Sequence, residues 1–162
     1  MLRKNPKSRK LSAAGTFAIV ASRYNSQFVD AMLRAAKAEL LRAGAKVQII
    51  RVPGAYEIPV VAAKLARLNI PRLSAIICLG VILRGQTVHA AHIGDAVSRA
   101  LMDIQLATEI PVIHEVLLLE NAGQARDRCL DPKHNRGTEA AQTALEMARV
   151  MATISSNDDL PF

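Results

Sequence analysis

A histidine follows a long apolar stretch and is separated from it by a short polar turn. In GVILRGQTVH, Gly85, Gln86 and Thr87 lie between the apolar residues and His89. Glycine lets the backbone approach an anion closely, and amide N–H groups with a hydroxyl can bind phosphate. Imidazole exchanges protons near neutral pH, so His89 is a candidate general acid/base; the alternative is a helix-start histidine without a chemical task. The stretch therefore predicts a phosphate loop beside a proton-transfer group.

Two earlier turns add aromatic and polar side chains. SRYN supplies Tyr24, whose ring could stack on a flat heterocycle or plug a helix end, and Asn25, which could cap a helix or bind a ligand hydroxyl. VPGAYEIP places small Ala55 before Tyr56 and Glu57 at a predicted helix start. The Glu57 carboxylate could bind a ligand beside exposed amide donors, or it could only compensate the helix dipole. Neither turn decides the chemistry by itself.

A later segment carries arginines that could bind an anion. LLLENAGQARDRC places Arg126, Asp127 and Arg128 on a predicted short helix, and KHNRG follows with Arg136. Arginine binds phosphate bidentately, which lysine does less specifically, although a charged helix is usually a solvated face. Combined with the turn before His89, these arginines predict the second half of an anion site, which a neighbouring subunit could contribute.

Other kinds of site find no support in the sequence. There is no GxxxxGK[ST] loop and no GxGxxG dinucleotide motif. His89 and His92 could form an imidazole pair one helical turn apart, but no third zinc ligand stands at a typical spacing. Cys78 and Cys129 have neither metal-ligand spacing nor the density of a disulfide scaffold. We therefore expect no metal and two plain thiols.

Composition predicts one soluble domain. The chain has 162 residues, and no apolar run approaches the ~20 residues of a membrane span. Five of the 21 basic residues lie in the first ten positions, which leaves 16 basic against 14 acidic residues elsewhere. The basic start lacks the apolar core of a secretory signal, so we expect a cytoplasmic protein without a nucleic-acid partner. We expect a flexible arm over 1–14, a domain over 15–155 and a polar tail over 156–162.

Short apolar runs alternate with helical patterns along most of the chain. TFAIVAS, KVQIIRV, LSAIICLGVIL and PVIHEVLLL are predicted strands, and the stretches between them have helical spacing. Apolar strands joined by helices predict an α/β fold, a three-layer α/β/α sandwich with a central four-stranded, mainly parallel sheet. Ligands bind beyond the carboxyl ends of such strands, which is where the polar segments described above lie.

The ordered segments together resemble one family, 6,7-dimethyl-8-ribityllumazine synthase. The resemblance runs from about Thr16 to Ala152 and rests on RYN, VPGAYEIP, GVILRGQTVH, IPVIHEVLLLENAGQARDR and NRGTEAAQTALEMA. It implies a flavodoxin-like fold whose N-terminal segment could add a strand to a neighbouring subunit. It also implies the penultimate step of riboflavin biosynthesis, in which a transferase without cofactor or metal condenses 5-amino-6-(ribitylamino)uracil with 3,4-dihydroxy-2-butanone 4-phosphate.

The resemblance further implies a role for each matched position. His89 would be the general acid/base, and Tyr24 would stack on the pyrimidine. The other substrate-binding positions would be Asn25, Ala55, Tyr56 and Glu57 near the ribityl chain, Val81, Ile82 and Leu83 around the ring, Gly85, Gln86, Thr87 and Arg128 at the phosphate, His114 at the pyrimidine wall, and Arg136 in place of the family's usual lysine.

Two departures from the family pattern leave alternatives open. The stretch Ala90–His92 replaces an aromatic, an acidic and an aromatic residue, so a carboxylate that would orient His89 is missing. His114 and Glu115 replace an aromatic residue and a glycine. These changes also fit a paralogue that binds flavin or lumazine without making it. The basic arm, in turn, would fit a nucleic-acid-associated shell protein.

The resemblance also implies a homo-oligomer. Family members form pentamers with active sites between adjacent subunits, and some pack twelve pentamers into an icosahedral shell. The DPKHNRG connection shows no insertion of the kind associated with isolated pentamers, which favours the 60-subunit shell. An association with riboflavin synthase is a further implied partner.

Overall fold

The computed structural model describes residues 15–156 of the chain. Strands and helices follow one another as β1 (Thr16–Ser22), α1 (Ser26–Arg42), β2 (Lys46–Val52), a 3₁₀ turn (Ala55–Glu57), α2 (Ile58–Leu68), β3 (Ala75–Leu83), α3 (His89–Thr108), β4 (Val112–Leu119), α4 (Ala122–Cys129) and α5 (Arg136–Ser156). The predicted basic arm over 1–14 and residues 157–162 of the predicted tail lie outside the described residues. Within the described range, no helix combines the length and apolarity needed to cross a membrane.

The four strands form one sheet in the order β2-β1-β3-β4, and every pair is parallel. Ile19 of β1 stands between Ile49 of β2 and Ile77 of β3, and Ile77 is paired with Ile113 of β4. Since all strands run in one direction, their carboxyl ends meet at one edge. The loops after β1, β2 and β3 are therefore brought together, as the sequence predicts.

Alternating side chains of the strands fill two separate apolar layers, because successive residues of a strand point to opposite faces. Ile19 and Ile77 pack with α1, α4 and α5, whereas Val20 and Cys78 pack with α2 and α3. The predicted three-layer sandwich is thus confirmed. Burial raises the pKa of the Cys78 thiol to about 12 and that of Cys129 to about 11, so both are unreactive thiols of the interior.

Two glycines are required by the backbone geometry, one at the end of α1 and one where α5 packs against α1. Gly44 follows α1 with a φ of 78°, a left-handed conformation that favours glycine and ends the helix. Gly137 lies in the first turn of α5 against α1. A Cβ atom at position 137 would overlap the backbone carbonyl of Met32, so glycine is required for this close contact between the two helices.

Candidate active site

A cavity of about 840 Å³ opens at the carboxyl edge of the sheet, between the loop after β1, the 3₁₀ turn, the end of β3 and the start of α3. Nine of the fifteen predicted site residues line it: Tyr24, Asn25, Ala55, Tyr56, Glu57, Val81, Ile82, Leu83 and His89. Three strand-end segments that are far apart in the sequence therefore share one concave surface.

Asn25 joins the two central strands beneath this cavity. It has a φ of 55°, a left-handed conformation that asparagine tolerates better than most residues, and it precedes α1 without a side-chain capping bond. Its Nδ2 instead donates to the carbonyl oxygen of Val81 at 2.7 Å. Asn25 therefore occupies the N-cap position of α1 without capping it through its side chain, which instead fixes the loop after β1 to the end of β3.

The 3₁₀ turn holds the Glu57 carboxylate at the cavity wall. The backbone N–H of Gly54 donates to Glu57 Oε2 at 2.9 Å. A Cβ atom at position 54 would lie 2.9 Å from that oxygen and 3.2 Å from Cδ2 of Tyr24, so glycine lets the turn and the ring approach each other. Tyr24 is 73% exposed. Its ring is therefore not a buried plug at the helix end, and its face remains open to a ligand.

One face of α3 forms the opposite wall. His89 and His92 line the cavity together with Ile93 and Ala96, at the spacing of residues on one side of a helix. Sequence reasoning did not assign the last three to the site, nor Gly54. The signal was present in the helical spacing that starts at His89, which places positions 92, 93 and 96 on the same side.

The predicted phosphate loop lies next to the cavity but does not line it. Gly85, Gln86 and Thr87 are exposed residues between the end of β3 and the start of α3. The base of the loop is fixed to β4, since the N–H of Arg84 donates to the Leu119 carbonyl at 2.8 Å and Arg84 Nη1 lies 2.8 Å from Glu120 Oε1. The remaining residues of the loop directly precede the first turn of α3 in the sequence.

Three predicted residues lie away from the cavity, on the β4 side of the same chain. Arg128 is exposed near the end of α4 and forms no ion pair with another residue of the range 15–156. Arg136 donates from Nε to Glu115 Oε1 and from Nη1 to Glu139 Oε2, both at 2.7 Å. Burial raises the pKa of Glu115, which is only 5% exposed, and the nearby Arg136 opposes that rise. The positive charge of Arg136 is thus shared by two carboxylates.

His114, the third of these residues, is held against α3. Its Nδ1 accepts the Val116 N–H at 3.2 Å, and its Nε2 lies 2.8 Å from Ser98 Oγ, which donates to the Gly94 carbonyl. With Nδ1 as acceptor, the neutral ring carries its hydrogen on Nε2 and cannot take the proton of Ser98. The contact therefore positions β4 against α3 and is not a nucleophile–base pair.

Comparison with known proteins agrees with this geometry. Residues 14–152 match the family model described as 6,7-dimethyl-8-ribityllumazine synthase. A 6,7-dimethyl-8-ribityllumazine synthase of Stenotrophomonas maltophilia (strain R551-3) is 40% identical over 138 residues, which cover 83% of this chain and 88% of the relative. A protein of the same name from Xanthomonas oryzae pv. oryzae (strain PXO99A) is 39% identical over 138 residues with the same shares covered. The chain belongs to the 6,7-dimethyl-8-ribityllumazine synthase family.

Proposed function

We propose that this protein is a transferase of riboflavin biosynthesis. It condenses 5-amino-6-(ribitylamino)uracil with 3,4-dihydroxy-2-butanone 4-phosphate to give 6,7-dimethyl-8-ribityllumazine, phosphate and water. The observation that carries this proposal is the single cavity into which RYN, VPGAYEIP and the two ends of ILRGQTVH bring their side chains. The reaction is assigned no cofactor and no metal, and it is placed in the cytoplasm.

The aminouracil fits the part of the cavity between the β1 loop and β3. The exposed ring of Tyr24 offers a flat face for the pyrimidine, while Val81, Ile82 and Leu83 supply an apolar wall. The polyol chain needs hydrogen-bonding partners, for which the carboxylate of Glu57 and the amide oxygen of Asn25 are available. Ala55 and Tyr56 border the same region.

The phosphate of the ketose belongs at Gly85, Gln86 and Thr87. These residues precede the N-terminus of α3, a 20-residue helix whose first N–H groups point towards the loop and whose dipole favours an anion there. His89 begins that helix, so a bound phosphate ester would lie next to an imidazole. His89 is accordingly assigned the general acid/base role in imine formation and phosphate elimination.

A second subunit completes the site in this proposal. Arg128, His114 and Arg136 lie away from the cavity of their own chain, on its β4 side, which supports a role for them at the cavity of an adjacent subunit. Large apolar side chains are exposed on α3, among them Met102 and Leu106, and a protein–protein contact would remove them from water. We assign a homopentamer in which Arg128 of one subunit binds the phosphate in the next.

Higher assembly follows the same reasoning. β2 is an edge strand of the sheet, so an N-terminal segment of a neighbouring subunit can add a strand there. The short connection between α4 and α5 favours packing of twelve pentamers into a 60-subunit shell. Association of such a shell with riboflavin synthase is part of the same proposal.

The test is to mix the purified protein with the aminouracil and the ketose phosphate and to follow lumazine fluorescence against the protein-free reaction. Saturable acceleration that is weakened by Arg128→Ala, and not by the matched change Arg126→Ala on the same helix, supports the synthase and its phosphate contact. Background rates combined with tight flavin binding would instead identify a non-catalytic flavin-binding paralogue and reject the proposal.

A further inference from the structure

The cavity contains a second imidazole that the proposed mechanism leaves without a task. His92 lies one helical turn after His89 on α3, and both side chains line the cavity. With a rise of 1.5 Å per residue, position 92 stands ~4.5 Å further along the helix axis than position 89. The two imidazoles therefore lie on the same wall of the cavity at different positions along the axis of α3.

His92 is not used by the fold. Its side chain is exposed and has no hydrogen-bond partner among the described residues. The other two histidines outside the catalytic assignment differ in this respect: His114 contacts Val116 and Ser98 through its two ring nitrogens, and His134 Nδ1 lies 2.9 Å from Asp131 Oδ2. Both ring nitrogens of His92 thus remain available to a bound ligand.

Few other groups in the cavity can exchange protons near neutral pH. Besides the two histidines, its lining residues with titratable side chains are Tyr24, Tyr56 and Glu57. Phenols and carboxylates ordinarily titrate well above and well below neutrality, whereas imidazole titrates near it. Proton transfer within the cavity therefore depends on the two imidazoles.

The proposed condensation needs proton transfer at two places in the substrate. The ketone carbon joins the amine and loses its oxygen as water. The adjacent carbon, which bears the hydroxyl, gives up a proton as the phosphate leaves. His89 adjoins the loop assigned to the phosphate, and His92 lies one turn away along the wall that also holds Ile93 and Ala96. This wall therefore offers one imidazole for each of the two proton transfers.

We infer that His92 is a second proton-transfer group of this cavity, which takes over from His89 the dehydration step of imine formation and leaves to His89 the elimination of phosphate. The inference rests on the proposed function. In the dehydration, the imidazolium of His92 gives its proton to the carbinolamine hydroxyl. The C–O bond breaks, water leaves and the nitrogen electron pair forms the C=N bond. The resulting iminium N–H then returns a proton to the imidazole.

The elimination by His89 balances in the same way. The neutral imidazole takes the proton from the carbon that bears the hydroxyl, next to the C=N carbon. The electron pair of that C–H bond forms a C=C bond, and the neighbouring C–O bond breaks so that phosphate leaves with its electrons. Neither step requires an oxidant or a further reactant.

The experiment compares His92→Ala with His92→Phe, because alanine leaves a space that free imidazole can enter and phenylalanine fills it. We expect both variants to lower kcat by about tenfold to hundredfold, at the low end of a general acid/base contribution. Added imidazole should restore part of the rate to His92→Ala and none to His92→Phe. Both variants should also lose one ionisation from the dependence of kcat on pH, and both should bind the lumazine product as tightly as the unaltered protein.

Three results would overturn the inference. One is an unchanged kcat in both variants, and another is a loss of rate matched by an equal loss of product affinity, which would make His92 a packing or binding residue. The third is the absence of imidazole rescue in His92→Ala. If the unaltered protein does not accelerate the condensation at all, the proposed function fails and this inference with it. An active protein with unaffected variants refutes this inference alone.

Discussion

The side-chain amide of Asn25 donates a 2.7 Å hydrogen bond to the backbone carbonyl of Val81. This bond crosses from the end of β1 to the end of β3, two strands that are 56 residues apart at these positions. Asn25 also has a left-handed backbone. Both features place the turn that carries Tyr24 over the apolar wall of the cavity, so the geometry of the site depends on one amide donor.

Replacement of this donor should damage both stability and binding. Asn25→Asp preserves the size of the side chain but replaces the amide donor by an acceptor facing a carbonyl. We expect the free energy of unfolding to fall by about 1–3 kcal/mol, the typical cost of an unsatisfied buried polar group. The Michaelis constant for the aminouracil should rise in parallel. Urea unfolding and steady-state kinetics measure the two effects.

The chain offers a matched control for this substitution. Asn69 also has a left-handed backbone, with a φ of 45°, but its Oδ1 accepts the Leu73 N–H at 2.9 Å. Asn69→Asp retains the accepting oxygen, so its stability should remain close to that of the unaltered protein. If both variants unfold at the same urea concentration, the donor role assigned to Asn25 is wrong.

Arg128 should contribute to substrate binding more than to turnover. A charge-assisted hydrogen bond is worth about 1.5–3 kcal/mol, so Arg128→Ala should raise the Michaelis constant for the ketose phosphate roughly tenfold to hundredfold. Arg126→Ala removes an equal charge from the same helix and should change this Michaelis constant little. An unchanged Michaelis constant in Arg128→Ala would show that the phosphate lies elsewhere.

His89 should matter less than a sole catalyst would. Holding two reactants in the right geometry can lower a barrier by up to ~7–11 kcal/mol, and addition of an amine to a ketone needs little further help. We therefore expect His89→Ala to slow turnover by at most ~10²-fold. A loss of several thousandfold in kcat would contradict the view that positioning dominates.

His114 should give the fold a sensitivity to acid. Burial lowers the pKa of His114 below its ordinary value of 6.5, so the folded chain holds the ring neutral more strongly than the unfolded chain does. Its contribution to stability is complete above that ordinary value and is lost as the pH falls through the lowered pKa. The free energy of unfolding should therefore decrease more steeply on acidification in the unaltered protein than in His114→Asn. Parallel decreases would exclude His114 as the source.

Much of the fold could be predicted because the sequence expresses it locally. β3 lies in the centre of the sheet with both faces covered, and its continuous apolar run reveals it. The predicted and observed elements differ slightly in the residues at which they begin. The helix predicted from Tyr56 begins at Ile58, because Ala55–Glu57 forms a 3₁₀ turn closed by the Glu57 carboxylate. β3 begins at Ala75 and not at Leu73, whose N–H bonds to the side chain of Asn69.

The cavity could be predicted from the strand ends, but the pairing of charged side chains could not. Arg136 reads as a free cation in the sequence, whereas Glu115 and Glu139 engage it in the folded chain. Glu115 is 21 residues away and meets Arg136 only once β4 and α5 have packed. Such contacts depend on where the side chains lie in the folded chain. The spacing of hydrophobic residues in the sequence does not predict that. The same holds for the contact of His114 with Ser98.

The absence of space at position 137 has a consequence for how this sequence can vary. In a saturation scan scored by the amount of folded protein, every substitution of Gly137 should be strongly depleted, since even alanine would force α5 away from the Met32 carbonyl. Gly94→Ala in α3 should be tolerated, because its new methyl group would meet only Leu118 at 3.7 Å and alanine favours helix. Two helical glycines that look interchangeable in the sequence would therefore differ sharply in how well they tolerate substitution.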